Sequence, residues 1–333
     1  MPSFAVAGDP GFTLTVNGAN FVYNSVVRWA GSVRPTTYVS PSQVTASISM
    51  ADIASTGFFN ITVSNAAPGG GESAPASFEV KPVPTVVYVD DDFNSGNTGG
   101  HIWNYDAFNT VQGGINRVAA GGTVYVATGS YSENVTANKA VTLFGANQGV
   151  DGCGSRGPES TISGGAGVAV NITSDNVTVD GFALTGATCV RDISKVGVAV
   201  RNNVITAGAV GLDVEQILTT ALATVTVERN CVSLTTQVAG STPTIGLLLA
   251  GAAGPQAVII RTNGVSGAFY GYLLYSANAG VPTAIRGGTV SGVMQGVAVI
   301  NLDPVTFTVY SPSTFIVDGL SMSGFSGNYP ANP

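Results

Sequence analysis

Apolar and polar residues alternate in short runs along most of this chain. Phe12-Thr13-Leu14-Thr15-Val16 is the first such run, and Asn17-Gly18 behind it is a turn signal. Ser25-Val26-Val27-Arg28-Trp29, Thr36-Thr37-Tyr38-Val39 and Gln43-Val44-Thr45-Ala46-Ser47-Ile48 continue the pattern. Phe59-Asn60-Ile61-Thr62-Val63 and Ser77-Phe78-Glu79-Val80 close it. Short strands broken by turns about every ten residues predict a β-sandwich over residues 1–81. Lys81-Pro82-Val83-Pro84 then predicts a stiff linker at residues 82–85, because each proline fixes φ and removes a donor.

From residue 86 onward the pattern becomes a repeat. Six β-branched anchors, Val179, Val200, Val227, Ile260, Ile285 and Val317, are each followed by a charged residue: Asp180, Arg201, Glu228, Arg261, Arg286 and Asp318. Five positions after each anchor stands an apolar residue, namely Leu184, Ile205, Val232, Val265, Val290 and Met322, and then Ser or Thr. The anchors lie 21, 27, 33, 25 and 32 residues apart. Gly211, Gly271 and Gly296 open a second phrase 11 residues after their anchors; Gly246 does so after 19, which implies an eight-residue loop insertion. Fixed phrases with loops of free length are the mark of a solenoid, whose coils must stack while their loops need not. The fold class predicted is all-β: a β-sandwich, then a right-handed parallel β-helix over residues 86–333. If the registers align, the charged residues form one column, and Arg201, Glu228 and Arg229 can make a ladder of ion pairs. Ahead of the repeats, Phe108, Val111, Ile115 and Val118 share a helical face, Asp106 suits an N-cap, and Gly121-Gly122 suits a stop. A capping helix at about residues 106–120 is expected.

Composition narrows the partners. Charged residues are 9% of the chain, against a usual share of about 25%. Net charge is −7, and the lysines are Lys81, Lys139 and Lys195, so no basic stripe exists for nucleic acid or an anionic membrane. No run reaches the ~18 apolar residues of a membrane helix, so membrane insertion is not expected. The opening Met1-Pro2-Ser3 carries no signal-peptide pattern, and the chain reads as a piece of a longer extracellular or cell-surface protein. Cys153, Cys189 and Cys231 are odd in number and match no metal spacing. They are expected to be buried small hydrophobes, with one disulfide between neighbouring coils as the alternative.

Two resemblances sharpen this picture. FTLTVNGANF, SVVRWAG, QVTASI and FFNITVSNAAPGGGES, within about residues 4–80, resemble the IPT/TIG family of Ig-like domains. That resemblance implies a sandwich without a disulfide, serving as a spacer or adhesion module. Some relatives bind DNA, but Arg28, Arg34 and Lys81 are the only cations here, so that role does not carry over. YVDDDF through AFNTVQGGINRVAAGGTVYVATGSYSENVTANKAVTLFGANQG is similar to the N-terminal end of pectin-lyase-like β-helix proteins. It implies a helix plugging the open end of the bore.

Such β-helices often cleave acidic polysaccharides, yet the Asn-Thr-Asp, Gly-His-Gly, Arg-Ile-Lys, Trp-Ile-Asp-His and Asp-Pro-His patterns of those enzymes are absent. Asp303-Pro304-Val305 comes nearest to the last and lacks its histidine. The one histidine, His101, sits in a Gly/Asn-rich loop. No catalytic residue is assigned. The binding candidates are Arg201, Glu228, Arg229, Arg261 and Arg286 in the charged column, with Tyr270, Tyr272 and Tyr275 as the nearest dense aromatic patch for sugar contact. Asp90, Asp91 and Asp92 would attract Ca²⁺ if a turn brought their carboxylates together; no other cofactor is implied. The expected function is a non-catalytic structural or adhesion protein of the cell surface. Its expected partners are a carbohydrate, another surface protein, or further copies in head-to-tail self-association into a layer or filament, since no plug resembling the first is visible near Ser326-Gly327-Asn328-Tyr329. A polysaccharide lyase, hydrolase or epimerase is the alternative.

Overall fold

The computed structural model describes residues 4–68, 70–216, 224–234, 244–251, 257–276, 283–293, 295–300 and 315–323. They fall into two compact units, Met1–Val83 and Pro84–Pro333.

The first unit packs two sheets. Phe12–Asn17, Gln43–Ile48 and Thr36–Ser40 form one. Phe4–Val6, Ala76–Lys81, Gly57–Asn65, Val26–Trp29 and Ser32–Val33 form the other, with Gly71–Glu72 alongside Gly57–Asn65. Every alternating run of the sequence is a strand, and the inward residues Leu14, Val27, Trp29, Val44, Ile48 and Phe78 make the core. Trp29 stacks on Phe59 at 5.3 Å. The short strand Phe4–Val6 joins parallel to Ala76–Lys81, a pairing that three residues of alternation are too few to announce.

The second unit is a parallel β-helix. One ten-stranded wall runs through Val86–Val89, Gly122–Val126, Val141–Phe144, Val177–Asp180, Val198–Arg201, Thr224–Glu228, Ala257–Arg261, Thr283–Arg286 and Phe315–Asp318, with Ala107–Phe108 beside the first of these. A thirteen-stranded sheet makes the remaining walls, and the long strands Ala183–Ile193 and Val204–Gln216 pass from one to the next. Among the described residues the pairings between coils are parallel and in register, apart from one shift between Gly186 and Thr188 where Ala183–Ile193 meets Val204–Gln216. Val87, Val124, Leu143, Val179, Val200, Val227, Ile260 and Ile285 stack on one another inside the bore. Each is at most 1% exposed, as their β-branched or apolar character demands. Leu184, Ile205, Val232, Val265 and Val290 make a second buried column.

Between these two columns the chain turns a corner through the left-handed region. Gly181, Asn202, Arg229, Thr262, Gly287 and Gly319 hold φ of 85°, 57°, 53°, 49°, 63° and 66°. Glycine and asparagine accept such angles readily; arginine and threonine do so at a cost. The next residue is Asn203, Asn230 or Asn263 in three successive coils, and these form a buried ladder. Asn203 donates its backbone N–H and Nδ2 to Asn230 Oδ1 at 3.1 and 3.0 Å. Asn230 does the same to Asn263 Oδ1 at 2.9 and 3.0 Å. Their Nδ2 groups also reach the carbonyls of Val179, Val200 and Val227 in the preceding coils at 3.1, 2.9 and 3.0 Å. Polar side chains survive in this interior because each one is paired with its own counterpart one coil away. The second-phrase glycines stack as well: a Cβ on Gly246 would lie 2.5 Å from Gly271 O and 2.4 Å from Val265.

The first coil is covered by a helix shorter than expected. It spans Val111–Arg117, and Thr110, not Asp106, is its N-cap. Ala107–Phe108 is drawn out to pair with the first strand, and Asp106 Oδ1 instead accepts from Ile102 N at 2.7 Å. Val111, Ile115 and Val118 are buried as their spacing requires. The following coil grips both helix ends. Glu133 accepts the free N–H groups of Val111 and Gln112 at 2.7 and 3.0 Å, and Lys139 Nζ donates to Val118 O at 2.7 Å. These are the signs of charge that a helix dipole favours at each end.

The cysteines correct the first expectation. Only Cys189 is a buried thiol; Cys153 and Cys231 form a disulfide. Cys153 belongs to an excursion that folds along the corners of later coils, a path no spacing rule reveals. The eight-residue insertion ahead of Gly246, Asp303-Pro304-Val305 and residues 324–333 lie outside the described residues.

The ladder gives a direct test. Asn230→Ala leaves donors and acceptors of two neighbouring coils unpaired, at about 1–3 kcal/mol for each buried group. A urea midpoint well below wild type is expected. A shift too small to resolve would mean that the ladder contributes nothing to stability.

Candidate ligand-binding face

The charged column exists as a line of Cα partners. Asp180, Arg201, Glu228, Arg261, Arg286 and Asp318 follow one another in register on the outside of the ten-stranded wall. The same line begins with Tyr88, Tyr125 and Phe144. One outward track thus carries an aromatic half and a charged half. Beside it runs a track of Thr123, Thr142, Thr178, Ala199 and Thr226, which continues as Ile259 and Ala284 next to Arg261 and Arg286.

The charged half divides by burial. Asp180 is 3% exposed and serves as a hub, accepting from Arg201 Nε at 2.9 Å, Asn202 Nδ2 at 2.8 Å and Gly149 N at 2.9 Å. Arg201 therefore turns toward Asp180. Arg229 approaches Glu228 at 3.6 Å and keeps its side chain 45% exposed. Arg261 and Arg286 are exposed and in register, with no ion pair or hydrogen bond to either side chain among the described residues. Neighbouring strands lie about 4.8 Å apart, so two like charges face each other directly, with Glu228 and Asp318 in register on the outer side of each.

The aromatic half does not offer ring faces. Tyr88 and Tyr125 stack at 5.7 Å and 18°, and His101 lies on Tyr88 at 3.9 Å and 21°. Their faces cover one another and their edges point outward. The expected aromatic patch is also divided. Tyr272 is fully buried in the bore, aligned with Leu247, because its position in the second phrase faces inward. Tyr270 is half-buried against Phe269 at 4.7 Å. Tyr275 aligns with Ala250, and its side chain lies outside the described residues.

A turn closed by Phe93 N to Asp90 O at 3.0 Å brings Asp90, Asp91 and Asp92 together, with one carboxylate oxygen of each within 4.8 Å of the others. That donor set suits a hard cation such as Ca²⁺. Two of the carboxylates already have work in the fold: Asp91 Oδ2 accepts from Ser130 N at 2.9 Å, and Asp90 Oδ1 from Asp92 N at 3.1 Å.

One cluster escaped the sequence patterns. On the neighbouring wall, Arg191 pairs in register with Asp213, Nε to Oδ2 at 3.4 Å, and Glu215 follows on the same side of the strand. Burial, then the Glu215 charge, push Asp213 up to about 6, while Arg191 pulls the other way. The alternation in Leu212-Asp213-Val214-Glu215 carried the signal, since it places both acids outward.

Comparison with known proteins agrees with the first unit. Residues 2–80 match the family model of the IPT/TIG domain. No curated protein and no solved structure matches the chain significantly. The chain therefore carries an N-terminal IPT/TIG domain, followed in sequence by a parallel β-helix.

Asp213 yields a pH test. Its folded pKa of about 6 lies above the usual carboxylate value, so its contribution is full at low pH and is lost as pH rises through about 6. Asp213→Asn should flatten the thermal stability profile between roughly pH 5 and pH 7 relative to wild type. Parallel profiles for the two proteins would contradict the assignment.

Proposed function

We propose that this chain is a non-catalytic extracellular or cell-surface module that holds an acidic glycan along the arginine-bearing wall of a pectin-lyase-like β-helix. The observation that carries it is the pair Arg261 and Arg286, exposed, in register with each other and with no ion pair to either side chain among the described residues, flanked in the same line by Glu228 and Asp318. Arg229 extends the same patch, since its corner adjoins that of Thr262 through Arg229 N to Arg261 O at 3.0 Å. Guanidinium groups at a fixed spacing suit a polymer bearing a carboxylate on successive sugars. The positive charge is local: the chain as a whole has a net charge of −7.

Two further points support this function. A disulfide with an exposed Cys153 fits an oxidising compartment. Strain at Arg229 fits a residue retained for contact, since glycine or asparagine fills the corner in four of the six coils.

A second function, cleavage of such a polymer, would draw on Asp213, whose raised proton affinity suits general acid work, with Glu215 on the same side of the strand. Incubation with uronic-acid polymers, with and without Ca²⁺, distinguishes the two functions: binding without product is expected.

Binding to immobilised uronic-acid polymer should weaken as salt rises. Joint Arg261→Ala and Arg286→Ala substitution should weaken it by about tenfold or more. Undiminished affinity in that double variant would remove the basis of the proposal. Arg229→Gly should separate stability from binding. Relief of the left-handed corner should raise stability by about 1 kcal/mol, while affinity falls. A variant that loses both would show that Arg229 is structural.

A further inference from the structure

The excursion between Val141–Phe144 and Ser160–Ser163 does not project into solvent. It folds along the corners of three successive coils. Gly149 N bonds Asp180 Oδ1 at 2.9 Å at the first. Arg156 Nη1 bonds Asn202 O at 2.8 Å at the second. Gly152 N bonds Arg229 O at 2.9 Å at the third, and the Cys153–Cys231 disulfide closes over that corner. Gly152 lies so close that an added Cβ would fall 2.4 Å from Asn203 O, 2.7 Å from Cys231 N and 2.8 Å from Arg229 O. The excursion is also stiff. Arg156 pairs with Glu159 at 2.6 Å, and Asn147 Nδ2 holds Pro158 O at 2.9 Å and Glu159 Oε2 at 3.0 Å.

Its far end thus grips the strained residue. Arg229 occupies the left-handed region at φ 53°, and its carbonyl is the acceptor that Gly152 engages. Strain of this kind persists only where the surroundings over-determine it. The hydrogen bond, the backbone contact and the covalent link two residues later supply that constraint. Cys153 is exposed, so a soluble thiol can reach the bond that holds it.

We propose that residues 145–159 form a redox-sensitive clasp that fixes Arg229 in its binding geometry, so that the arginine face holds its acidic glycan tightly only while Cys153 and Cys231 are joined. This rests on the glycan-binding function proposed above. Release needs a dithiol reductant. Its thiolate attacks Cys153 Sγ, the Sγ–Sγ bond breaks, and Cys231 leaves as a thiol after protonation. The second thiol of the reductant then closes the reductant's own disulfide and frees Cys153 as a thiol. Two electrons and two protons pass to the protein, and the dithiol is oxidised.

Hydrogen exchange and polymer binding together test the clasp on the full chain. The comparison uses the oxidised protein, the same protein in dithiothreitol, and Cys153→Ser. Oxidised Gly152→Ala adds a variant that loosens the clasp with both cysteines present. Circular dichroism should show the β-helix retained in all four. Reduction and either substitution should speed exchange at Glu228–Asn230 while leaving the helix Val111–Arg117 unchanged, and should weaken uronic-acid polymer binding by about tenfold. Unchanged exchange at Glu228–Asn230 on reduction overturns the clasp. So does faster exchange there with unchanged affinity. Should the oxidised wild type bind no uronic-acid polymer, the glycan function fails while the exchange arm still decides whether the clasp holds Arg229.

Discussion

Each coil of the β-helix passes its backbone hydrogen bonds to the coil above it, in register and about 4.8 Å away. Everything else in the second unit answers to that constraint. A side chain cannot choose its neighbour, because its neighbour is the residue at the same station of the next turn. Apolar stations therefore become continuous columns such as Val179, Val200, Val227, Ile260 and Ile285. A buried polar station is tolerable only if its copies can satisfy one another. Asparagine does so, because one amide both donates and accepts along the axis. Exposed like charges at one station repel, and Arg261 beside Arg286 is offset within the chain only by Glu228 and Asp318 on the flanking coils.

The same constraint explains why so much of this fold was legible. Fixed offsets from each anchor mapped onto fixed walls, and the charged residue after each anchor took its expected place in one line. The asparagine ladder was equally visible, three residues beyond Val200, Val227 and Ile260, but polar residues at a solenoid corner invite a loop interpretation until burial is known. Tyr272 was misplaced for the converse reason. An aromatic-rich run suggests surface, although the glycine before it aligns Tyr272 with Leu247 in the bore. The helix was overextended because Phe108 fits a helical period as well as a strand, and only the edge of the first coil, which needs pairing, decides between them. Nothing in the spacing of Cys153 and Cys231 revealed their bond, since it depends on where a loop travels and not on the repeat.

Stability and binding pull on the same corner. Glycine or asparagine would relax the turn after Glu228, as in the coils that carry Gly181 and Asn202. Arginine there costs folding energy, and its guanidinium lies 3.6 Å from Glu228 on the coil next to Arg261. Such an expense needs rigid surroundings, and these surround it on three sides: the ladder residue Asn230 behind, the coil of Arg261 above, and the excursion with Gly152 and Cys153 alongside. Removing any one constraint lets the corner find cheaper angles.

Rigidity also decides what this wall can bind well. An arginine on a mobile loop loses rotamer and backbone entropy on meeting its ligand, and that loss is subtracted from the affinity. Arg261 and Arg286 stand on strands paired from both sides, so only their side chains remain to be ordered. A polymer with evenly repeated anionic groups gains from such a wall at every repeat it matches. The rigid strands and the exposed arginine pair in an acidic chain thus favour an extended acidic ligand lying along the stack.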